Sequence, residues 1–116
     1  MYVDGFVLPV PRKNLDAYRR MATKAGKVWR EYGAFDYKEA VADDVKKGKW
    51  TSFPQAVKLK PGEVVWFSWI LYRNRKHRDA VNKKVMADPS MKEMPQGMPF
   101  DVKRMMYGGF QVIVEG

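Results

Sequence analysis

The stretch from Val64 to Tyr72, VVWFSWILY, constrains this chain more than any other. It is uncharged and rich in β-branched and aromatic residues, which reads as a strand. Alternation puts Val64, Trp66, Ser68, Ile70 and Tyr72 on one face and Val65, Phe67, Trp69 and Leu71 on the other. Both faces are apolar, so both must be covered. A chain of 116 residues is one domain by length, with helices enough for one face of a sheet. The economical cover for the other face is the same sheet of a second copy. The strand therefore predicts a homodimer.

The remaining elements follow from changes of period. Residues 2–10 read as a strand that Pro9 and Pro11 end. From Asn14 the spacing becomes helical: Leu15, Tyr18, Ala22, Ala25, Trp29 and Tyr32 share a face, with Asn14 placed to cap and Gly33 to stop the helix. Residues 34–42 are a more polar strand suited to a sheet edge. Ser52 and Pro54 predict a short helical turn, and Asn74 caps a second helix through Ala87 with Ala80, Val81 and Val85 inward. Residues 89–101 are irregular, and 103–114 form a last strand interrupted by Gly108 and Gly109. Strand, helix, strand, strand, helix, strand is the ferredoxin-like βαββαβ plan, an α+β fold whose four-stranded antiparallel sheet has strands one and three at its centre.

Composition removes several function classes. There is no cysteine and one histidine, His77, so disulfide scaffolds, zinc fingers, thiol catalysis and multi-His metal sites are excluded. No metal and no cofactor is expected. No uncharged stretch reaches the ~20 residues of a membrane-spanning helix, and no secretory leader is visible. A single cytoplasmic domain over residues 1–116 is the expectation.

FSWILY at 67–72, RDAVNKKVMADPSM at 78–91 and MPFDVKRMMYGGF at 98–110, with the opening YVDGFVLPVP, form an ordered composite. In these strings the chain resembles the YbaA-like family of small bacterial proteins of unknown function. The resemblance spans nearly the whole chain and implies a dimeric α+β barrel, in which two ferredoxin-like sheets pack face to face. It implies no activity. On this plan the seam is expected at Trp66, Phe67, Trp69 and Phe110, with the Met-rich segment filling gaps.

Three kinds of feature can carry function. The net charge of +9 includes a stripe of Arg20, Lys24 and Lys27 on the first helix and a cluster with Arg75, Lys76 and Arg78. Such a surface can neutralise phosphates, or simply stay solvated. No nucleic-acid-binding signature accompanies it, so nucleic acid is a disfavoured partner. Met86, Met91, Met94, Met98, Met105 and Met106 form a thioether-rich region better suited to filling gaps than to binding Cu(I). Glycines in strands, Gly5 with Gly108 and Gly109, mark either a bulge or a cleft. If a cleft, Asp4, Ser68, Tyr72, Asp101, Arg104 and Tyr107 are its candidate polar lining. Asp101 reads equally as a structural partner of Arg104 or Arg78, and His77 as an exposed histidine. A small-molecule-binding or regulatory dimer is the leading expectation. A cofactor-independent enzyme of monooxygenase or isomerase type, and a basic RNA-binding dimer, stand beside it.

Overall fold

The computed structural model describes residues 1–92 and 98–116, so Met94 lies outside the described residues. β1 spans Tyr2–Pro11, α1 Leu15–Glu31 and β2 Asp36–Val41. A short α2, Phe53–Ala56, precedes β3, Glu63–Tyr72; then come α3, Arg75–Ala87, a single turn α4, Pro89–Lys92, and β4, Met106–Gln111. The strands form one antiparallel sheet in the order β2-β3-β1-β4. The βαββαβ plan and its two central strands are as the sequence predicts.

Period-two alternation sorts the sheet. Tyr2, Asp4, Phe6, Leu8 and Val10 of β1 share a face with Trp66, Ser68, Ile70 and Tyr72 of β3. On this face Leu8, Val10 and Trp66 pack against Tyr18 and Ala22 of α1, while Ile70 and Tyr72 pack against Val81 and Val85 of α3. Leu8, Val10, Tyr72 and Val85 are fully buried, and each such apolar side chain contributes about 1.5–3 kcal/mol. Trp66 therefore belongs to the core beneath α1, which removes it from any seam on the opposite face.

Local signals behave mostly as read. Ser52 caps α2 through the Gln55 amide, and Asn74 caps α3 through the His77 amide at 2.8 Å. Gly33, at φ +110°, follows the end of α1 in the left-handed region that glycine favours. Asn14 stands at the cap position of α1, but its side chain donates to the Pro99 carbonyl at 3.0 Å, tying the helix start to the segment before β4. Ala80 is exposed rather than inward.

The second sheet face differs from expectation. Val57 and Leu59, just after α2, fold over Val7 and Val65, and Phe53 stands edge-on to Phe67. The chain thus covers one end of that face itself. The other end carries Val3, Gly5, Trp69, Leu71, Gly108 and Phe110, and stays open, with Phe110 62% and Met106 43% exposed. Among the described residues, no helix is long and apolar enough to cross a membrane.

Candidate functional site between the first helix and the sheet

A cavity of about 220 Å³ lies under α1, walled by Phe6, Tyr18, Trp29, Tyr37, Ile70 and Phe100, with Met21, Met91, Met98 and Met105 filling its rim. Its polar lining is Glu39 and Ser68, with the Tyr37 hydroxyl beside them. A wider groove of about 610 Å³ on the other flank of α1 also reaches Tyr37 and Glu39 and adds Asp16, Arg19 and Thr23.

Glu39 is the chemical centre of this arrangement. Tyr37, Glu39 and Val41 alternate toward the helices from edge strand β2, opposite Ile70, Ser68 and Trp66. The Trp66 indole N–H donates to Glu39 Oε1 at 2.7 Å, and the Tyr37 hydroxyl donates to Oε2. Ser68, its partner across the ladder, lines the cavity beside it. Burial pushes the Glu39 carboxyl above the usual carboxylate range, and its hydrogen bonds only partly offset it. Burial, reinforced by the neighbouring Glu39 charge, pushes the Tyr37 hydroxyl far above its ordinary range. Tyr18 is raised by the same two causes.

Removing that carboxyl's charge while keeping its shape is expected to stabilise the protein. A Glu whose folded pKa lies above its unfolded one binds more protons when folded, so stability falls as pH rises from the ordinary glutamate pKa through the raised value. Glu39→Gln eliminates this loss and is expected to gain about 1 kcal/mol near neutral pH, with the gain shrinking in acid. Urea denaturation of both proteins across pH checks it; a destabilised Glu39→Gln would show that the charge itself holds β2 in place.

Gly26, in the middle of α1, explains how the helix comes so close. A Cβ there would stand 2.9 Å from two ring carbons of Tyr37. The ring cannot easily yield, since its hydroxyl is held by Glu39 and its face packs near Trp29. Gly26→Ala gains roughly 1 kcal/mol in helix propensity but overpacks this contact by about 1–3 kcal/mol. A net loss of about 1 kcal/mol is expected, read as a lower denaturation midpoint at unchanged slope.

The sequence-derived candidates disperse. Ser68 lines the cavity. Asp4 and Tyr72 lie behind it in a buried network with Arg78, Asn82 and Trp29: Arg78 donates to Asp4 at 2.6 Å, and Trp29 Nε1–H donates to Asn82 at 3.0 Å. Arg78 is thereby turned inward and leaves the basic surface, where Arg20, Lys24, Lys27, Arg75 and Lys76 remain exposed. Arg104 grips Glu63 with two bonds, at 2.7 and 2.6 Å, and Asp101 at 3.0 Å, a structural clamp that leaves it no room to line a cleft. That clamp holds the Glu63 carboxyl below its usual range.

The register of β1 with β4 is continuous from Tyr2–Gln111 to Val7–Met106, so the strand glycines make no bulge. Gly5 and Gly108 face away from the helices, beneath the Phe110 ring, and the space over Gly109 is filled by Tyr2. Tyr107 is an exposed edge residue stacked on Phe6. Met91, Met98 and Met105 border the cavity rather than a seam. His77 is half-buried against Phe35 and Tyr72, and its Nδ1 accepts from the Arg73 amide at 2.9 Å. Glu39, Tyr37 and Gly26 escaped the sequence reading. The signals for them were the inward alternation of Tyr37 and Val41 around Glu39, and a glycine inside an otherwise well-formed helix.

Comparison with known proteins agrees with this architecture. A solved structure of an uncharacterized NIPSNAP domain protein from Burkholderia xenovorans superposes with a TM-score of 0.51 at 12% identity, covering 97% of this chain and 94% of that one. At that identity it speaks for the fold alone. The uncharacterized protein YbaA of Escherichia coli K12 is 53% identical over 114 residues, 98% of this chain and 97% of its own length. Its Shigella flexneri counterpart matches equally. The model of a family described as "Protein of unknown function (DUF1428)" matches residues 1–102. The chain accordingly belongs to that YbaA-containing family of unknown function.

Proposed function

We propose that this protein is a homodimer that binds a small, largely apolar molecule in the cavity beneath α1, with Glu39 as the group that orients it. The observation that carries this reading is the half-buried Glu39 carboxyl, held by the Trp66 indole and the Tyr37 hydroxyl at an otherwise apolar wall. A purely structural interior would favour an apolar residue there, since replacing a buried charge is often neutral or stabilising. A cavity of about 220 Å³ is smaller than the ~300–1,000 Å³ of drug-sized sites, so the ligand is of one-ring size. A second copy is the natural cover for the open sheet end, where Trp69 and Phe110 flank the Gly5–Gly108 pair.

Amide spectra recorded with a set of one-ring compounds test the binding reading. Shifts confined to Ala22, Ala25, Ser68 and Ile70 are expected, and Ala25→Phe, which fills the cavity, should abolish them. Shifts that survive Ala25→Phe, or none with any compound at millimolar concentration, would overturn it.

A further inference from the structure

Resting on that binding site, we propose that its ligand class is the organic amine: a compact apolar body bearing one ammonium group that pairs with the Glu39 carboxylate. The hydrogen-bond polarity of the site points this way. An indole N–H can only donate, so Glu39 Oε1 is fixed as an acceptor by Trp66 at 2.7 Å. The Tyr37 hydroxyl donates to Oε2. A carboxylate offers about four acceptor positions, so acceptor capacity remains for a ligand. The site is wired for an anion.

That anion has no counter-charge. Its hydrogen-bond partners among the described residues are all neutral. The groups facing it from each packed element are Tyr37 on β2, Trp66 and Ser68 on β3, and Tyr18 on α1, with Asp16 and Arg19 across the open groove. Residues Met98, Phe100, Val102 and Met105 close the cavity without a charge, because Arg104 is committed to Glu63 and Asp101. Arg19 is exposed and carries no bond to Glu39. A carboxylate half withdrawn from water without a cation is costly, and a cationic ligand would offset that cost.

The walls suit a cation as well. Tyr18, Trp29, Tyr37 and Trp66 surround the carboxyl from two sides, and aromatic faces attract ammonium groups, tryptophan most strongly. A neutral or anionic ligand would use neither feature. An anionic one would also meet the Glu39 charge in a region where water screens little. The positive charges that oppose a cation, exposed Arg19 across the groove and the rest of the net +9, act through water, where 0.1 M salt screens them over ~10 Å.

Benzylamine, benzyl alcohol and benzoate share one ring and differ in charge, so titrating each into the intact protein by tryptophan fluorescence separates the alternatives. Benzylamine is expected to bind at least tenfold more tightly than benzyl alcohol at pH 8, with benzoate weaker still. Because only the carboxylate pairs with the amine, the wild-type preference should shrink as pH falls toward 5. Glu39→Gln should abolish the preference, bringing benzylamine to the level of benzyl alcohol in the same variant. Equal affinity for amine and alcohol in the wild type would overturn the amine assignment while leaving the binding site standing, as would a preference that Glu39→Gln preserves. No binding by any of the three would overturn both.

Discussion

Phe110→Asp is expected to convert a wild-type dimer into a monomer of unchanged secondary structure. Phe110 lies on edge strand β4, on the face turned away from the helices, and is 62% exposed in the single chain. Its ring rests over Gly5 and Gly108, whose added Cβ atoms would meet it at 3.9 and 3.7 Å. The paired glycines strip two side chains from the middle of the face, leaving a shallow floor bounded by Trp69 and Phe110. Monomeric proteins rarely leave a contiguous apolar face of this kind in water.

Two-fold symmetry sets the magnitude. Each substitution in an isologous interface occurs twice, and a buried aromatic anchor is worth about 2 kcal/mol or more per copy. A loss of roughly 4 kcal/mol weakens association about a thousandfold. The fold should survive because Phe110 belongs to none of the buried clusters. Trp69→Asp differs, since Trp69 sits in central strand β3 with Lys38 over its ring at 5.8 Å; it should both dissociate and destabilise. Sedimentation velocity with circular dichroism on wild type and variant reads the outcome. A dimer that persists in Phe110→Asp, or a wild type monomeric at every concentration, would remove the open face as the seam.

Much of this architecture is legible in the sequence, because apolar period reports burial directly. The alternation of 64–72 set β3 at the centre, and the three-and-four spacing from Leu15 to Tyr32 set the inner face of α1. Contacts between polar residues distant in sequence were not legible in the same way. Glu63 and Arg104 are 41 positions apart, and no local pattern pairs them. Asn14 looks like a helix cap and is one by position, yet the carbonyl it serves belongs to Pro99. Arg78 is the more instructive case. Its run of positive neighbours reads as surface, but its spacing to Val81 and Val85 places it on the inner face of α3. Helical geometry outweighed composition there. Glu39 is hidden for the parallel reason: a polar strand marks an edge, which β2 is, but its polarity does not show which side of the alternation the carboxyl occupies. The covering of Val7 and Val65 by Val57 and Leu59 was beyond a local reading, since a short helical turn does not announce the face it folds upon.

Asp4→Ala is expected to cost about 3 kcal/mol in mild acid, a cost that shrinks as pH climbs through the raised Asp4 pKa, whereas the cost of Arg78→Ala should grow as pH rises. Asp4 is buried at the base of β1 and accepts from Arg78 at 2.6 Å, beside the Tyr72 hydroxyl, which donates to Asn82 at 3.3 Å. Truncating Asp4 removes the inner partner of Arg78, which stays charged at any accessible pH and, among the described residues, keeps only Asp79, at 2.8 Å, as an ion-pair partner on its exposed side. For a domain of this size the loss corresponds to a fall in Tm of about 12 °C. The reverse truncation has an escape, because the orphaned carboxyl can take up a proton. Burial already raises the Asp4 pKa against the opposing pull of Arg78, and removing the guanidinium raises it further. The folded variant then binds more protons than the unfolded chain, so stability declines as pH climbs through the raised value. A loss of about 1 kcal/mol at pH 5 growing to about 3 kcal/mol at pH 8 is expected for Arg78→Ala. Denaturation midpoints for both variants across that range decide it; a pH-independent loss in Arg78→Ala would mean that Asp4 stays ionised without its partner. The consequence reaches the cavity, because Asn82, which accepts from the Tyr72 hydroxyl beside Asp4, also accepts from the indole of Trp29 at 3.0 Å. Asp4→Ala should therefore loosen the Trp29 wall and weaken one-ring ligands, although Asp4 itself is not among the residues that line the cavity.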